Sequence, residues 1–192
     1  VPTHGKVLDL CTGTGKVVFD FARYSPADEI IGLDFSPQMI EIANRELLKK
    51  QDSFKSKKIS FLQGDATNLP FEDNIYDVVS SAFGLRNVVS PEKYFKEKYR
   101  VTKPGGKNLT LELTRPRNIM MRGLYYPYLH IYLPMLGRML SGNPYAYSYL
   151  AKTISNFFTP GEVLEFMQKA GWKNTKAIPM TGEITTLFYG IK

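Results

Sequence analysis

Short apolar runs alternate with amphipathic segments through the first half of the chain. Lys6–Leu10 (KVLDL) predicts a buried strand, and Lys16–Tyr24 a helix. Glu29–Asp34 (EIIGLD) predicts a second strand. Ser36 then stands as a helix cap, with Pro37 in the first turn and Ile40, Ala43 and Leu47 on one face. Further strands are expected at Lys58–Gln63, Ile75–Ser80 and Lys107–Leu113. A helix over Pro91–Thr102 and a turn at Lys103–Gly106 (KPGG) separate the last two. Strands alternating with helices imply parallel pairing through crossovers, hence an open α/β sheet.

The alternation then stops. Residues 116–158 are rich in Tyr, Met, Leu and Pro, and predict two or three inserted helices. Thr159–Glu162 (TPGE) has the spacing of a capping box and starts a helix to Ala170, ended by Gly171. Trp172–Pro179 and Glu183–Lys192 predict two final strands in a hairpin. The expected architecture is one domain over 1–192: a mostly parallel α/β sheet with a C-terminal antiparallel hairpin and a helical insertion. The stretch Lys49–Lys58 reads as a solvated helix end and loop.

Composition narrows the class. At 192 residues, 43% hydrophobic and 22% charged, the chain is ordinary for a globular domain. Cys11 is the only cysteine, which excludes a disulfide framework and a Cys-based metal site. His4 and His130 are too far apart to make a metal signature, so no metal is expected. No segment has the length of a transmembrane span, and no signal peptide is visible. The sequence begins at Val1, and an N-terminal segment is expected to be missing from it. The +7 formal charge is uneven. Residues 1–99 carry 13 Lys/Arg against 14 Asp/Glu, and residues 100–192 carry 12 against 4, a balance of +8. A basic half attracts nucleic acid, anionic lipid or an acidic substrate, and charge alone does not choose among them.

Candidate chemistry begins where the first strand turns into the first helix, at Asp9-x-Cys11-x-Gly13-x-Gly15. Glycines here remove Cβ atoms where the backbone passes close to a ligand, and the helix that follows offers free N–H groups. In an open α/β sheet, ligands bind outside the carboxyl ends of the strands. A dinucleotide fingerprint needs a third glycine, and Val18 stands there. A P-loop needs glycine at Leu10 and a hydroxyl at Val17. The acid-x-small-x-Gly-x-Gly pattern of class I S-adenosylmethionine-dependent methyltransferases matches at every position; the competing reading is a tight turn without a ligand. Asp34, ending the second strand, can accept two ribose hydroxyls, or serve as a helix cap, for which Ser36 is better suited. Gly64-Asp65-Ala66 follows the third strand: Asp65 can accept from an adenine amino group, and the Ala66 N–H can face the ring. Alone it is also an ordinary turn. Three such elements at successive strand ends are a stronger signal than any one.

Beyond these, Phe83-Gly-Leu-Arg86-Asn87-Val88, Arg100–Gly106 (RVTKPGG), Leu111-Glu112, Gly32–Ser36 (GLDFS) and Leu69-Pro-Phe71 together resemble the ubiquinone/menaquinone biosynthesis C-methyltransferases. Within that family the likeness is nearest to the demethylmenaquinone methyltransferase branch. It runs from Lys6 to Tyr189 or beyond, and the Gly-Leu-Arg-Asn-Val run is its most specific part. The resemblance implies a class I, Rossmann-like fold, S-adenosylmethionine as cofactor, and methyl transfer to a ring carbon of a polyprenylated hydroquinone. It implies contacts to the cofactor from Thr14, Asp34, Asp65 and Ala66. The full expected cofactor-binding set is Asp9, Gly13, Thr14, Gly15, Asp34, Phe35, Asp65, Ala66 and Ala82. Some positions depart. Lys16 stands where the family often has Asp, and Ala82 where some members have Ser, which leaves only a backbone contact. Thr102 and Asn108 fall where aliphatic residues are preferred, and the family's N-terminal elements are not in this sequence.

Ring-carbon methylation needs both partners held in line, with the acceptor's phenolate form favoured. Arg86, permanently charged, is expected to stabilise the phenolate, and Asn87 to orient the hydroxyl or a water. The competing role for the pair is a structural turn in which Arg86 makes a salt bridge. Cys11 is expected to matter for its size rather than its nucleophilicity. The insertion carries Tyr125, Tyr126, Tyr128, Tyr132, Tyr145, Tyr147, Tyr149, Phe157 and Phe158, with Arg117, Arg122, Arg138 and Lys152 nearby. It is expected to form a cap for the quinone and its tail, with peripheral contact to the cytoplasmic face of a membrane, although most such residues simply pack on the sheet. A homodimer is left open. Two other functions compete: a phenol or sterol methyltransferase with the same core, and an RNA methyltransferase or nucleic-acid binder using the basic, aromatic half. With no recognised RNA-binding module present, nucleic acid is not the expected partner.

Overall fold

The computed structural model describes residues 1–114, 157–180 and 183–192, together with the isolated positions 123, 127 and 153. The expected helical cap, with its tyrosines, its basic residues and His130, therefore lies outside the described residues, save for Phe157 and Phe158. Those two are packing residues: Phe157 is buried in the core, and Phe158 stands edge-on to Phe166 at 5.0 Å between ring centroids.

The strands are β1 (Lys6–Leu10), β2 (Glu29–Asp34), β3 (Lys58–Gln63), β4 (Tyr76–Ala82), β5 (Thr102–Leu113), β6 (Lys173–Met180) and β7 (Thr185–Ile191). They form one seven-stranded sheet in the order β3-β2-β1-β4-β5-β7-β6. The first five pair in parallel, β7 is antiparallel to β5, and β6 is antiparallel to β7. The expected open sheet with a terminal hairpin is the one observed. The strand order reverses between β1 and β4, and a crevice opens there at the strands' carboxyl ends.

The helices are α1 (Lys16–Tyr24), α2 (Pro37–Lys50), α3 (Pro91–Val101) and α4 (Pro160–Lys169). Their starts follow the sequence. Ser36 Oγ accepts from the Met39 N–H at 3.4 Å. Ser90 caps α3 with Pro91 behind it, and Thr159 and Glu162 complete a reciprocal capping box on α4. Side chains alternate across the sheet with a period of two. Val7 and Val78 join a core with Val18, Phe19 and Ala22 of α1 and Ala43 of α2. Leu8, Leu10 and Val79 join another with Tyr94 and Phe95 of α3 and Val163 and Met167 of α4. Ile40 and Leu47 pack against the α1/α2 core, as their spacing predicts.

Several boundaries shift by a residue or two, and two of the differences have a plain physical cause. β4 spans Tyr76–Ala82 rather than Ile75–Ser80, because Ser81 and Ala82 still pair with Thr110 and Leu111. The Lys103–Gly106 turn lies inside β5, not before it. Pairing passes from Tyr76↔Thr102 to Val78↔Lys107, so the extra residues bulge out of the ladder. Gly105 supplies the left-handed residue of that bulge at φ +76°. Lys192 clamps it, accepting from the Gly105 N–H and donating to the Gly106 carbonyl, each at 3.0 Å. A third finding reverses a simple hydrophobic reading of β5. Beyond the bulge its buried positions are the polar Asn108, Thr110 and Glu112, and the leucines between them are half-buried. Each polar group has a partner. Asn108 donates to the Phe188 carbonyl at 3.3 Å, and Thr110 accepts from the fully buried Lys98 ammonium at 2.7 Å.

Candidate active site

Four strand ends build the site. After β1 the chain turns through Cys11 at φ +53°, Gly13 at φ +56° and Gly15 at φ +81°. Gly15 is required by packing, since a Cβ there would lie 2.5 Å from the Phe61 ring. Gly13 differs, because its Cβ position meets no atom within 4 Å. It is the point where the loop leaves room for a ligand. Asp34 ties this loop to the next strand end. Its carboxylate accepts from the Gly13 N–H at 2.8 Å and from the Ser36 N–H at 2.9 Å. Asp65 makes its own turn after β3, accepting from the N–H and the hydroxyl of Thr67, both at 2.8 Å.

These ends enclose a cavity of about 390 Å³, a size that suits a small-molecule cofactor. One wall comes from β2 and β3: Asp34, Phe35, Gly64, Asp65, Ala66 and Thr67. The opposite wall comes from β1 and β4: Cys11, Phe83, Gly84, Asn87, Val88 and Val89. The first wall holds two carboxylates. The second is apolar apart from the Asn87 amide and the Cys11 thiol. No Lys or Arg is among the described lining residues. A phosphate would meet two anions and no cation, whereas a nucleoside with a cationic tail meets acceptors for its hydroxyls and a favourable field. The residues present thus fit S-adenosylmethionine, whose hydroxyls and amino group would meet the Asp34 and Asp65 carboxylates.

Not every expected residue comes to the cavity. Asp34, Phe35, Asp65, Ala66 and Asn87 line it; Asp9, Gly13, Thr14, Gly15, Ala82 and Arg86 do not. Asp9 is buried beneath the loop, where it accepts from the Thr12 and Ser80 hydroxyls at 2.7 Å each. Burial pushes its carboxyl up to about 6, against the pull of those two hydrogen bonds. Its place is that of an anchor for the loop rather than a contact. Arg86 corrects the expectation of a free cation facing a phenolate. Its guanidinium is ion-paired with Glu112, which is fully buried, and its side chain is only 13% exposed. The salt-bridge alternative weighed for this turn is the observed one. Cys11 lies in the wall; burial first, then the Asp34 and Asp9 carboxylates, push its thiol up to about 12, so it stays protonated, in line with a role by size rather than nucleophilicity.

The sequence reading missed Phe83, Gly84, Val88 and Val89 as cavity residues. Phe83 has a left-handed backbone at φ +59°, as Cys11 has at the end of the neighbouring strand. Gly84 lies against Cys11 so closely that an added Cβ would fall 2.2 Å from the Cys11 Cβ. Nothing in the sequence flags two non-glycine residues as left-handed. Gly84 itself, following a strand, was the available signal.

A seven-stranded sheet in this order, with a carboxylate-walled crevice at its reversal point, has the fold of the class I, S-adenosylmethionine-dependent methyltransferases. A solved structure of Haemonchus contortus phosphoethanolamine N-methyltransferase 2 in complex with S-adenosyl-L-methionine shares this fold at a TM-score of 0.73 with 16% identity, over 100% of this chain and 49% of that one. Within the class, residues 2–192 match the ubiE/COQ5 methyltransferase family, and the chain belongs to that family. It is 38% identical to a demethylmenaquinone methyltransferase of Protochlamydia amoebophila, over 99% of this chain and 78% of that protein. It is 36% identical to the ubiquinone/menaquinone biosynthesis C-methyltransferase UbiE of Stutzerimonas stutzeri, over 98% of this chain and 73% of that protein. The chain is therefore an S-adenosylmethionine-dependent C-methyltransferase of quinone biosynthesis.

Proposed function

We propose that the acceptor is a polyprenylated hydroquinone, methylated on a ring carbon: demethylmenaquinol giving menaquinol, or the ubiquinone-pathway equivalent. The observation that carries this reading is the second cavity wall. Phe83, Val88 and Val89 offer an apolar surface to a ring and its tail, with the Asn87 amide as the polar group among them. Val89 is 99% exposed and Phe83 40% exposed at the mouth, which favours an apolar molecule laid against them.

S-adenosylmethionine supplies an electrophilic methyl group on a sulfonium. Asp34, Phe35, Asp65 and Ala66 would hold its nucleoside. Gly13 leaves the approach open. Asn87 orients the acceptor hydroxyl so that its phenolate form places electron density on the adjacent ring carbon. The hydroxyl proton passes to water; the ring carbon then takes the methyl group as its bond to the sulfonium sulfur breaks and leaves a neutral thioether, and the ring carbon's own proton passes to water, restoring the aromatic ring. Arg86 acts from behind this wall, by fixing the turn that carries Asn87.

Among the described residues no helix is long and apolar enough to cross a membrane. A polyprenylated acceptor resides in the bilayer, so the reading includes a cytoplasmic enzyme in peripheral contact with the membrane's inner face. Incubation with labelled S-adenosylmethionine and demethylmenaquinol, or its ubiquinone-pathway analogue, tests the acceptor. Label in either quinol supports the reading, and label in neither sinks it. Flotation with anionic liposomes at low and moderate salt tests the membrane contact. Absence of binding at both removes that part alone.

A further inference from the structure

The Arg86–Glu112 pair is the feature that the reading above leaves without a catalytic duty. Glu112 ends the buried polar face of β5, at 0% exposure. Its carboxylate reaches the turn after β4 twice. One oxygen takes the Arg86 guanidinium, and the other accepts from the Arg86 backbone N–H at 3.1 Å. The first oxygen also accepts from the Leu113 N–H at 2.9 Å, which fixes the carboxylate to its own strand. Arg86 sits in a one-turn 3-10 segment, Leu85–Asn87. Gly84, Asn87 and Val88, immediately around it, are cavity wall.

We infer that Glu112 is a positioning residue for methyl transfer: it grips the Leu85–Asn87 turn by both its backbone and its side chain, and so sets where Asn87 and Val88 present themselves to the acceptor. Two i→i+3 bonds close the turn, from the Asn87 N–H to the Gly84 carbonyl at 3.0 Å and from the Val88 N–H to the Leu85 carbonyl at 3.1 Å, but they fix its curl and not its place against β5. A buried carboxylate bonded at three points fixes that place, and charge assistance makes those bonds stronger than neutral ones. The pair acts as a unit. Either partner alone leaves a buried charge without its counterion, so neither tolerates loss of the other. The cofactor wall hangs on β2 and β3 and makes no bond to Glu112. Glu112 therefore governs the acceptor side of the cavity and leaves the cofactor side intact.

The activity arm of the test rests on the quinol reading, and a second arm does not. Glu112→Gln keeps the volume and one carbonyl acceptor while removing the charge. Turnover is counted per S-adenosylmethionine-binding site, so that unfolded protein does not enter. The expected result is a fall in kcat of about tenfold to a hundredfold, with cofactor affinity within about threefold of wild type. Arg86→Met should give a similar loss, and the double variant no more than the worse single one. Hydrogen exchange, which needs no acceptor, should be about tenfold faster in peptides covering residues 83–89 and unchanged in those covering β1. Unchanged exchange at residues 83–89 overturns the inference whatever the acceptor proves to be. Equal loss of turnover and cofactor sites, or additive single effects, also overturns it. Should Glu112→Gln fail to fold, Arg86→Lys keeps the charge and loses the fork, and the same exchange criterion applies to it.

Discussion

Replacing Gly84 with alanine tests the geometry of the cavity floor most directly. Gly84 has φ −104° and ψ −30°, a conformation open to any residue, so no backbone penalty enters. The whole effect is steric. The new methyl would lie 2.2 Å from the Cys11 Cβ and 2.7 Å from its sulfur, where carbon atoms normally sit about 3.5–4.0 Å apart. More than an ångström of movement is needed, and a Cβ cannot rotate out of the way. Cys11 already occupies the left-handed region, and the next residue is held by the Thr12 N–H to the Leu33 carbonyl at 3.1 Å. Overpacking of this kind costs about 1–3 kcal/mol. For a domain of this size that lowers the melting temperature by roughly 2–4 °C per kcal/mol. Thermal melts of Gly84→Ala should therefore fall by several degrees, with weaker S-adenosylmethionine binding in calorimetry. Cys11→Gly supplies the rescue. It removes the clashing Cβ, tolerates φ +53° without strain, and leaves the Cys11 Cα at an ordinary 3.7 Å from the new methyl. The double variant should recover most of the loss. The reasoning is refuted by a Gly84→Ala protein that melts with wild type, or by a double variant that melts as low as the single.

Two further outcomes follow from the same geometry. Asp34→Asn replaces a carboxylate that accepts two backbone N–H groups with an amide that must point one N–H₂ at them, so cofactor affinity should drop about tenfold to a hundredfold, at about 1.5–3 kcal/mol for charged hydrogen bonds; unchanged affinity by calorimetry would dispose of the ribose assignment. Lys98 is held down to about 7 by burial, against the pull of Asp9 and Cys11, with Tyr94 and Thr110 also facing its ammonium. Between pH 7 and the unfolded lysine value of 10.5 the unfolded chain binds more protons than the native one, so stability rises with pH. Cys11 opposes this trend only above its own reference value of 9.0, and the Asp9 carboxyl titrates near 6, so pH 7 to 9 is the clean window. Urea titrations of Lys98→Met across that window should lose the upward slope seen in wild type.

Periodicity and loop chemistry determine much of this protein without any structure. Alternating strands and helices specify an open sheet, because parallel strands need crossovers and the crossovers must cover both faces. Caps at Ser36, Ser90 and Thr159 set helix starts because a local hydroxyl satisfies a local N–H. Part of the cavity wall was legible for a similar reason. Asp34, Asp65 and Ala66 line the cavity within three residues of a strand end, so their place follows from their position in the sequence. The acceptor end depended on contacts between distant segments. Arg86 meets Glu112 across 26 residues, and Asp9 meets Ser80 across 71. Cys11 meets Gly84 only because β1 and β4 are neighbours in the sheet. No local pattern states whether an arginine will face a cavity or a buried carboxylate. That choice is made by which strand lies beside its turn, and it moved Arg86 from the reacting group to the frame that holds the site.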